Sequence, residues 1–168
     1  MTTFACTLSE SGGATLYFCD SSAIVKRYAT ELGSDWIEAI CGDSTENIIA
    51  VSHIGLVEVC AALAAKHRAK AINTEEYEQT LADFIADANQ HYLLVTLDSK
   101  LVDLAIDLTR RQKLRGCDAV HLASALILNA KLVEQELTPL IFVAADVELL
   151  KAAVAEKLLT ENPNEHSK

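Results

Sequence analysis

Residues 16–20 read LYFCD, a short apolar run that ends on an acidic residue. Further runs at residues 47–51, 92–96 and 140–144 have the same largely continuous apolar character. Between these runs, apolar residues recur near the 3.6-residue period of a helix. Continuous apolar strands that alternate with such helices are typical of a parallel sheet covered by helices on both faces. We therefore predict an α/β fold of three layers, α/β/α, with a central parallel sheet of about four to five strands.

The length and composition indicate one globular domain. The chain has 168 residues, of which 51% are hydrophobic, and this size is typical of one domain. We predict that the domain covers residues 16–163, after a flexible extension at residues 1–15 and before a frayed tail at residues 164–168. Residues 1–15 lack the features of a signal peptide, and no apolar run approaches the length of a membrane helix. We therefore expect a soluble protein.

The cysteines indicate a reducing compartment. The chain has 5 cysteines, an odd number, and no pair has the C-x-x-C spacing. Neither a disulfide framework nor a zinc knuckle is indicated. Reduced thiols are typical of the cytoplasm, which is the location that we expect.

Four acidic residues interrupt the apolar pattern. Asp20 and Asp146 follow apolar strands, Asp118 opens the apolar helix at residues 118–130, and Glu58 lies within an apolar helix. Acidic groups that face a core are costly unless they are paired or bound to a metal. In parallel sheets, ligands bind outside the carboxyl ends of the strands. Because hard oxygen ligands suit Mg²⁺ or Mn²⁺, and no His or Cys cluster accompanies them, we predict a site for either ion rather than zinc.

Helix capping is an alternative explanation for three of the four. Asp20, Asp118 and Asp146 each stand at the start of a helix, where Asp is a favourable cap. Glu58 is in mid-helix and has no capping role. The residue four positions further on is Ala62, so no ion pair forms along the helix at that spacing. A surface position on an amphipathic helix remains the other interpretation of Glu58.

Four stretches, taken in order, resemble the PIN-domain ribonucleases, and most closely the VapC-type toxins of bacterial toxin–antitoxin systems. They are LYFCDSSAIVKRYATE at 16–31, VSHIGLVEVCAALAAKHR at 51–68, LRGCDAVHLASALILN at 114–129 and LIFVAADVELLKAAVAEKLLTENP at 140–163. The resemblance extends over nearly the whole chain and implies a PIN-like fold.

The resemblance also implies a function and a site. Asp20, Glu58, Asp118 and Asp146 match the acidic residues of the family, which implies that they bind Mg²⁺ or Mn²⁺ and catalyse cleavage of RNA phosphodiester bonds. A small antitoxin partner and a homodimer are implied as well. The chain departs from the family pattern at Ala144, where many members carry Ser or Thr two residues before the last Asp. We therefore expect any second metal ion to bind more loosely.

Three further residues are supporting candidates. Ser22 resembles the small hydroxyl residue that follows the first Asp of the family, but it could equally cap a helix. His121 shares a helix face with Asp118, and we favour a packed histidine bonded to a neighbouring helix over a metal ligand. Arg115 could contact phosphate, hold Asp118 in place or lie on the surface.

The charge balance excludes one class of nucleic-acid-binding protein. The 24 acidic and 14 basic residues give a net charge of −10, which argues against a protein that coats nucleic acid through bulk positive charge. Basic residues nevertheless cluster near the acidic candidates. Such clusters are either solvated helix faces or a path for the RNA backbone, for which the candidates are Lys26, Lys66, Arg68, Arg110 and Arg111.

Two other functions remain open. A metal-dependent phosphatase of the haloacid-dehalogenase type also has a strand that ends in Asp, but it needs a second Asp two residues further on, where this chain has Ser22. The other alternative is a PIN-like module that binds proteins and has weak or no catalytic activity. Loss of the acidic set would indicate such a module, and all four residues are present.

Overall fold

A parallel five-stranded sheet forms the centre of the fold. A computed structural model describes residues 14–42 and 45–166, so most of the extension predicted at residues 1–15 lies outside the described residues. The strand order is β3-β2-β1-β4-β5, and every neighbouring pair is parallel. The strands are β1 (Leu16–Cys19), β2 (Ile48–Ser52), β3 (Tyr92–Val95), β4 (Ile141–Val143) and β5 (Leu159–Glu161).

Helices cover both faces of this sheet. One core joins the sheet to α1, α2, α3 and α4, and the other joins it to α5, α6 and α7. The predicted three-layer α/β/α architecture is therefore confirmed. The helices are α1 (Ser21–Ile24), α2 (Ser34–Cys41), α3 (His53–Arg68), α4 (Thr74–Gln90), α5 (Ser99–Arg111), α6 (Gly116–Glu134) and α7 (Val147–Ala155), and short 3-10 turns occupy Val25–Arg27 and Pro163–His166.

The structure differs from the sequence-based expectation near the C-terminus. β5 is an edge strand of three residues, and it lacks the continuous apolar run that marks the other strands because one of its sides meets solvent. Residues 164–166, which we expected to fray, belong to the final 3-10 turn. The His166 ring stacks on Trp36 with ring centres 4.3 Å apart. Residues 167–168 lie outside the described residues.

Strand order places the candidate site. The chain adds β2 and β3 on one side of β1 and β4 and β5 on the other, so the order reverses at the β1–β4 boundary. Ligand crevices form at such a switch point, outside the carboxyl ends of the strands. Asp20 follows β1 and Asp146 lies three residues after the end of β4, so both residues lie at this crevice.

Helix α6 is long and apolar enough, by length and composition alone, to cross a membrane. Core helices of globular proteins can have the same length and apolar composition. Here α6 packs between the sheet and α5, and its buried residues include Leu122, Leu128 and Leu132. Its apolar character is therefore explained by the core that it helps to form.

Candidate active site

The four acidic candidates line a single cavity at the carboxyl edge of the sheet. The cavity has a volume of about 370 Å³. Its walls come from the end of β1 and the start of α1, from α3, from the start of α6 and from the loop after β4. They comprise Asp20, Ser21, Ser22, Glu58, Arg115, Gly116, Cys117, Asp118 and Asp146.

Asp20 is the most deeply buried of the four, at 3% exposed. Its carboxylate accepts the N–H of Ala23 at 2.9 Å and caps α1. The Ser22 hydroxyl lies 2.7 and 2.9 Å from the two carboxylate oxygens. Burial raises the pKa of Asp20 to about 6, although nearby His121 and the bond from Ser22 act in the opposite direction. The surrounding hydrogen bonds and charges therefore do not fully offset the cost of burying the ionised Asp20 carboxylate.

Glu58 is held in place by donors from two other elements. The imidazole of His121 lies with Nε2 2.5 Å from Glu58 Oε2. The Ser21 hydroxyl and the Cys117 thiol lie beside this carboxylate and also lower its pKa. The hydrogen bond from His121 is the main reason that the pKa of Glu58 falls to about 2, against the opposing effect of burial. Glu58 is therefore ionised throughout the physiological range.

Arg115 connects the other two carboxylates. Its Nε lies 2.9 Å from Oδ2 of Asp118, and a terminal nitrogen lies 3.3 Å from Oδ2 of Asp146. Asp146 also caps α7, since its Oδ1 accepts the N–H groups of Glu148 and Leu149 at 2.8 and 3.2 Å. The cap and the cavity use different oxygens, so the capping explanation and the site explanation are compatible for Asp146.

The chemistry of this donor set fits a hard divalent cation. Four carboxylates surround one cavity, and the most buried of them lacks full charge compensation. Residues 14–42 and 45–166 contain no group of three His, Cys, Asp or Glu side chains arranged to hold a metal ion. Asp118 and Asp146 engage Arg115 instead. A cation in this cavity would therefore compete with the guanidinium for these two carboxylates.

The basic candidates lie outside the cavity lining, apart from Arg115. Lys26 is only 5% exposed and donates to the Leu32 carbonyl at 2.9 Å. Its burial removes Lys26 from the surface that a nucleic acid can reach, which corrects its place among the RNA candidates. Lys66 pairs with Glu31 at 2.7 Å.

The three remaining basic candidates differ in their ion pairs and their exposure. Arg111 pairs with Asp107 and with Glu156, at 2.8 and 2.6 Å. Arg68 and Arg110 are exposed, and they remain the candidates with the most accessible charge.

Sequence reasoning missed three contributors. Ser52 caps α3 by accepting the N–H of Gly55 at 3.1 Å. The sequence carries no sign that Ser21 and Cys117 lie beside Glu58 or that Ser52 contacts His121. Only the position of Cys117 directly before Asp118 hinted at proximity to the site.

Comparison with known proteins identifies the family. The PIN domain model matches residues 17–136. Ribonuclease VapC45 of Mycobacterium tuberculosis strain CDC 1551 / Oshkosh and ribonuclease VapC49 of strain ATCC 25618 / H37Rv are each 38% identical over 117 residues, which span 68% of this chain and 77% of the relative. This chain belongs to the PIN-domain family.

Solved structures support the same fold. The crystal structure of VapBC2 from Rickettsia felis, bound to a DNA fragment from its promoter, superposes with a TM-score of 0.59 at 15% identity, over 88% of this chain and 98% of that one. At this identity the likeness concerns the fold alone. It agrees with the three-layer architecture described above.

Proposed function

We propose that this protein is a metal-dependent endoribonuclease that cleaves RNA phosphodiester bonds and acts as the toxin of a toxin–antitoxin pair. The observation that carries the proposal is the convergence of Asp20, Glu58, Asp118 and Asp146 on one cavity of about 370 Å³. Relatives that are 38% identical are named ribonucleases, which agrees with this chemistry.

The four carboxylates would hold one or two Mg²⁺ or Mn²⁺ ions. When bound, such an ion lets a carboxylate-lined cavity accept an anionic phosphodiester and supplies Lewis-acid polarisation of the reacting groups. Asp20 and Glu58 are held by Ser22, Ala23 and His121 rather than by the exposed Arg115, so they provide the more rigid part of the site. Asp118 and Asp146 are the adaptable part.

The residues of the chain have separable tasks in this proposal. Ser22 keeps the Asp20 carboxylate in place. Glu58 is ionised at neutral pH, so it needs no deprotonation before it binds a cation. Arg115, whose side chain is 78% exposed, is free to contact a substrate phosphate once its carboxylate partners turn to the metal.

The substrate would enter as a single strand or a loop, because the backbone of a duplex is less able to enter a cavity of this size. Arg68 and Arg110 offer exposed positive charge for the flanking phosphates. The overall charge of −10 opposes binding elsewhere on the surface. We therefore expect RNA affinity to be weak and salt-sensitive when no metal is bound.

Partners and location complete the proposal. A small antitoxin protein would block the cavity, and the toxin would form a homodimer in the cytoplasm. The four cysteines in the described part of the chain are free thiols, which agrees with a reducing compartment.

An RNA cleavage assay tests the function. Wild type should cut RNA with Mg²⁺ or Mn²⁺ and lose activity with EDTA, whereas Asp20→Asn and Asp118→Asn should be inactive. Asp98→Asn is the matched control, because Asp98 caps α5 at the end of the loop after β3 and lies outside the cavity. Equal cleavage by wild type, Asp20→Asn and Asp118→Asn would contradict the site.

The same preparation separates the two alternatives. Hydrolysis of p-nitrophenyl phosphate without RNA cleavage would favour a phosphatase. Absence of both activities, together with absence of Mn²⁺ binding, would favour a PIN-like module that binds proteins.

A further inference from the structure

A buried hydrogen-bond chain connects Glu58 to the end of β2. Nδ1 of His121 lies 3.0 Å from Oγ of Ser52, and Nε2 lies 2.5 Å from Oε2 of Glu58. His121 and Ser52 are each 1% exposed, whereas the Glu58 side chain is 30% exposed at the cavity. This hydrogen-bond chain thus runs from the protein interior to a candidate metal ligand.

The donors and acceptors along this hydrogen-bond chain are complementary. The Ser52 hydroxyl accepts the N–H of Gly55 at 3.1 Å, so its own hydrogen is available to Nδ1 of His121. Nε2 of His121 donates to Glu58 both when the ring is neutral and accepts at Nδ1 from Ser52 and when the ring is protonated and donates from Nδ1 to the Ser52 oxygen. Both ring nitrogens are then engaged, and the buried ring has none left for a metal ion. His121 is therefore unsuited to be a ligand.

Gly55 leaves the space that the imidazole needs. A Cβ atom added at Gly55 would lie 3.2 Å from Cε1 of His121 and 3.0 Å from Cγ1 of Val51. Val51 is fully buried in the sheet and has little room to shift. Any side chain at position 55 of α3 would therefore press on the His121 ring.

We propose that His121 is a positioning residue for Glu58, supported by Ser52 and by the absence of a side chain at Gly55. It holds one carboxylate oxygen in place, so that the Glu58 side chain has a single orientation when it binds a divalent cation. The inference rests on the proposed function. Outer partners of metal-binding carboxylates and histidines typically contribute 10- to 100-fold to metal affinity or activity.

The experiment measures Mn²⁺ affinity of the full chain by electron paramagnetic resonance, beside kcat and KM for RNA cleavage. His121→Leu should weaken Mn²⁺ binding about 10- to 100-fold and lower kcat more than it changes KM. His121→Gln should recover part of both losses, because its amide can still donate to Glu58. Gly55→Ala should weaken Mn²⁺ binding in the same direction.

Ser124→Ala is the matched control. Ser124 is buried on the same helix, and its hydroxyl donates to the Val120 carbonyl at 2.7 Å. Circular dichroism melting verifies that each variant is folded, and His121→Gln and Gly55→Ala keep the test decisive if His121→Leu does not fold.

The outcomes separate the inference from the function on which it rests. If wild type binds Mn²⁺ and cleaves RNA while folded His121 and Gly55 variants match it in Mn²⁺ affinity, the positioning role is overturned. A loss that Gln does not relieve, with melting temperatures lowered to the same degree, would assign His121 to packing and also overturn it. If wild type neither binds Mn²⁺ nor cleaves RNA, the proposed function fails, and the inference fails with it.

Discussion

Ser22 joins Asp20 to the loop after β4. Its hydroxyl donates to the Asp20 carboxylate, with oxygen–oxygen distances of 2.7 and 2.9 Å, and accepts the N–H of Ala145 at 2.9 Å. One small side chain therefore connects the end of β1 to the loop that carries Asp146. The two strands are neighbours in the sheet, so this bond sets the relative position of two candidate ligands.

Ser22→Ala should therefore weaken both stability and cleavage. The change removes a donor to a buried carboxylate and leaves the Ala145 N–H without this acceptor, so the free energy of unfolding should fall by about 1–3 kcal/mol. Urea unfolding at pH 8 measures the loss. Ser124→Ala, which removes a hydroxyl bonded within its own helix, should cost less. Equal losses in the two variants would contradict a special role for Ser22.

Asp20 should make the metal-free protein less stable as pH rises. Burial raises its pKa from the ordinary 3.8 to about 6, so the folded chain binds more protons than the unfolded chain between these values. The free energy of unfolding therefore falls as pH increases through this window, by about 3 kcal/mol in total. The low pKa of Glu58 acts in the opposite direction, but mainly below pH 4.5.

Asp20→Asn isolates this effect, because Asn keeps the shape of the protonated side chain. With EDTA present, the variant should be about as stable as wild type at pH 4 and about 1–3 kcal/mol more stable at pH 8. Urea unfolding at both pH values measures the difference, with Asp98→Asn as the control for loss of an Asp cap. A difference between Asp20→Asn and wild type that does not change with pH would show that Asp20 ionisation does not control stability.

Arg115→Gln should strengthen cation binding while it weakens RNA cleavage. The guanidinium engages Asp118 and Asp146 at 2.9 and 3.3 Å, so it competes with a metal for both. Removing the guanidinium takes away this competing positive charge. We expect Mn²⁺ affinity to rise and KM for RNA to increase, because a phosphate contact is lost.

Arg111→Gln is the control for this variant, since Arg111 pairs with Asp107 and Glu156 outside the cavity. Titration with Mn²⁺ and steady-state cleavage measure the two effects separately. Weaker Mn²⁺ binding in Arg115→Gln would mean that Arg115 orients Asp118 rather than competes with the metal.

Arg110→Ala should reduce the salt dependence of RNA binding. Arg110 is exposed near the end of α5 that leads to the cavity. Loss of one phosphate contact lowers the slope of log K against log salt concentration by about 0.7 for a single strand. Fluorescence anisotropy with a labelled RNA, in an Asp118→Asn background, measures the slope. Lys131 lies at the end of α6 that is far from the cavity, so Lys131→Ala should leave the slope unchanged. An equal change of slope in the Arg110 and Lys131 variants would indicate non-specific attraction.

The sequence alone predicted the features that depend on short stretches. The apolar run at residues 16–19 predicted β1 because a buried parallel strand must be apolar on both sides. Asp20 and Asp146 were correctly identified as possible helix caps, since a cap needs only the next few residues. The alternation of such stretches was sufficient for the fold class, and the order of four stretches indicated the family.

Contacts between distant residues were decided only by the tertiary structure. His121 and Glu58 are 63 positions apart and Arg115 and Asp146 are 31 apart, so no local pattern records either pair. Lys26 illustrates the same limit, because its burial depends on how the chain beyond it folds back. Helix and strand formation follow from neighbouring side chains, whereas the orientation, burial and pKa of a site residue depend on elements that folding brings together from elsewhere in the chain.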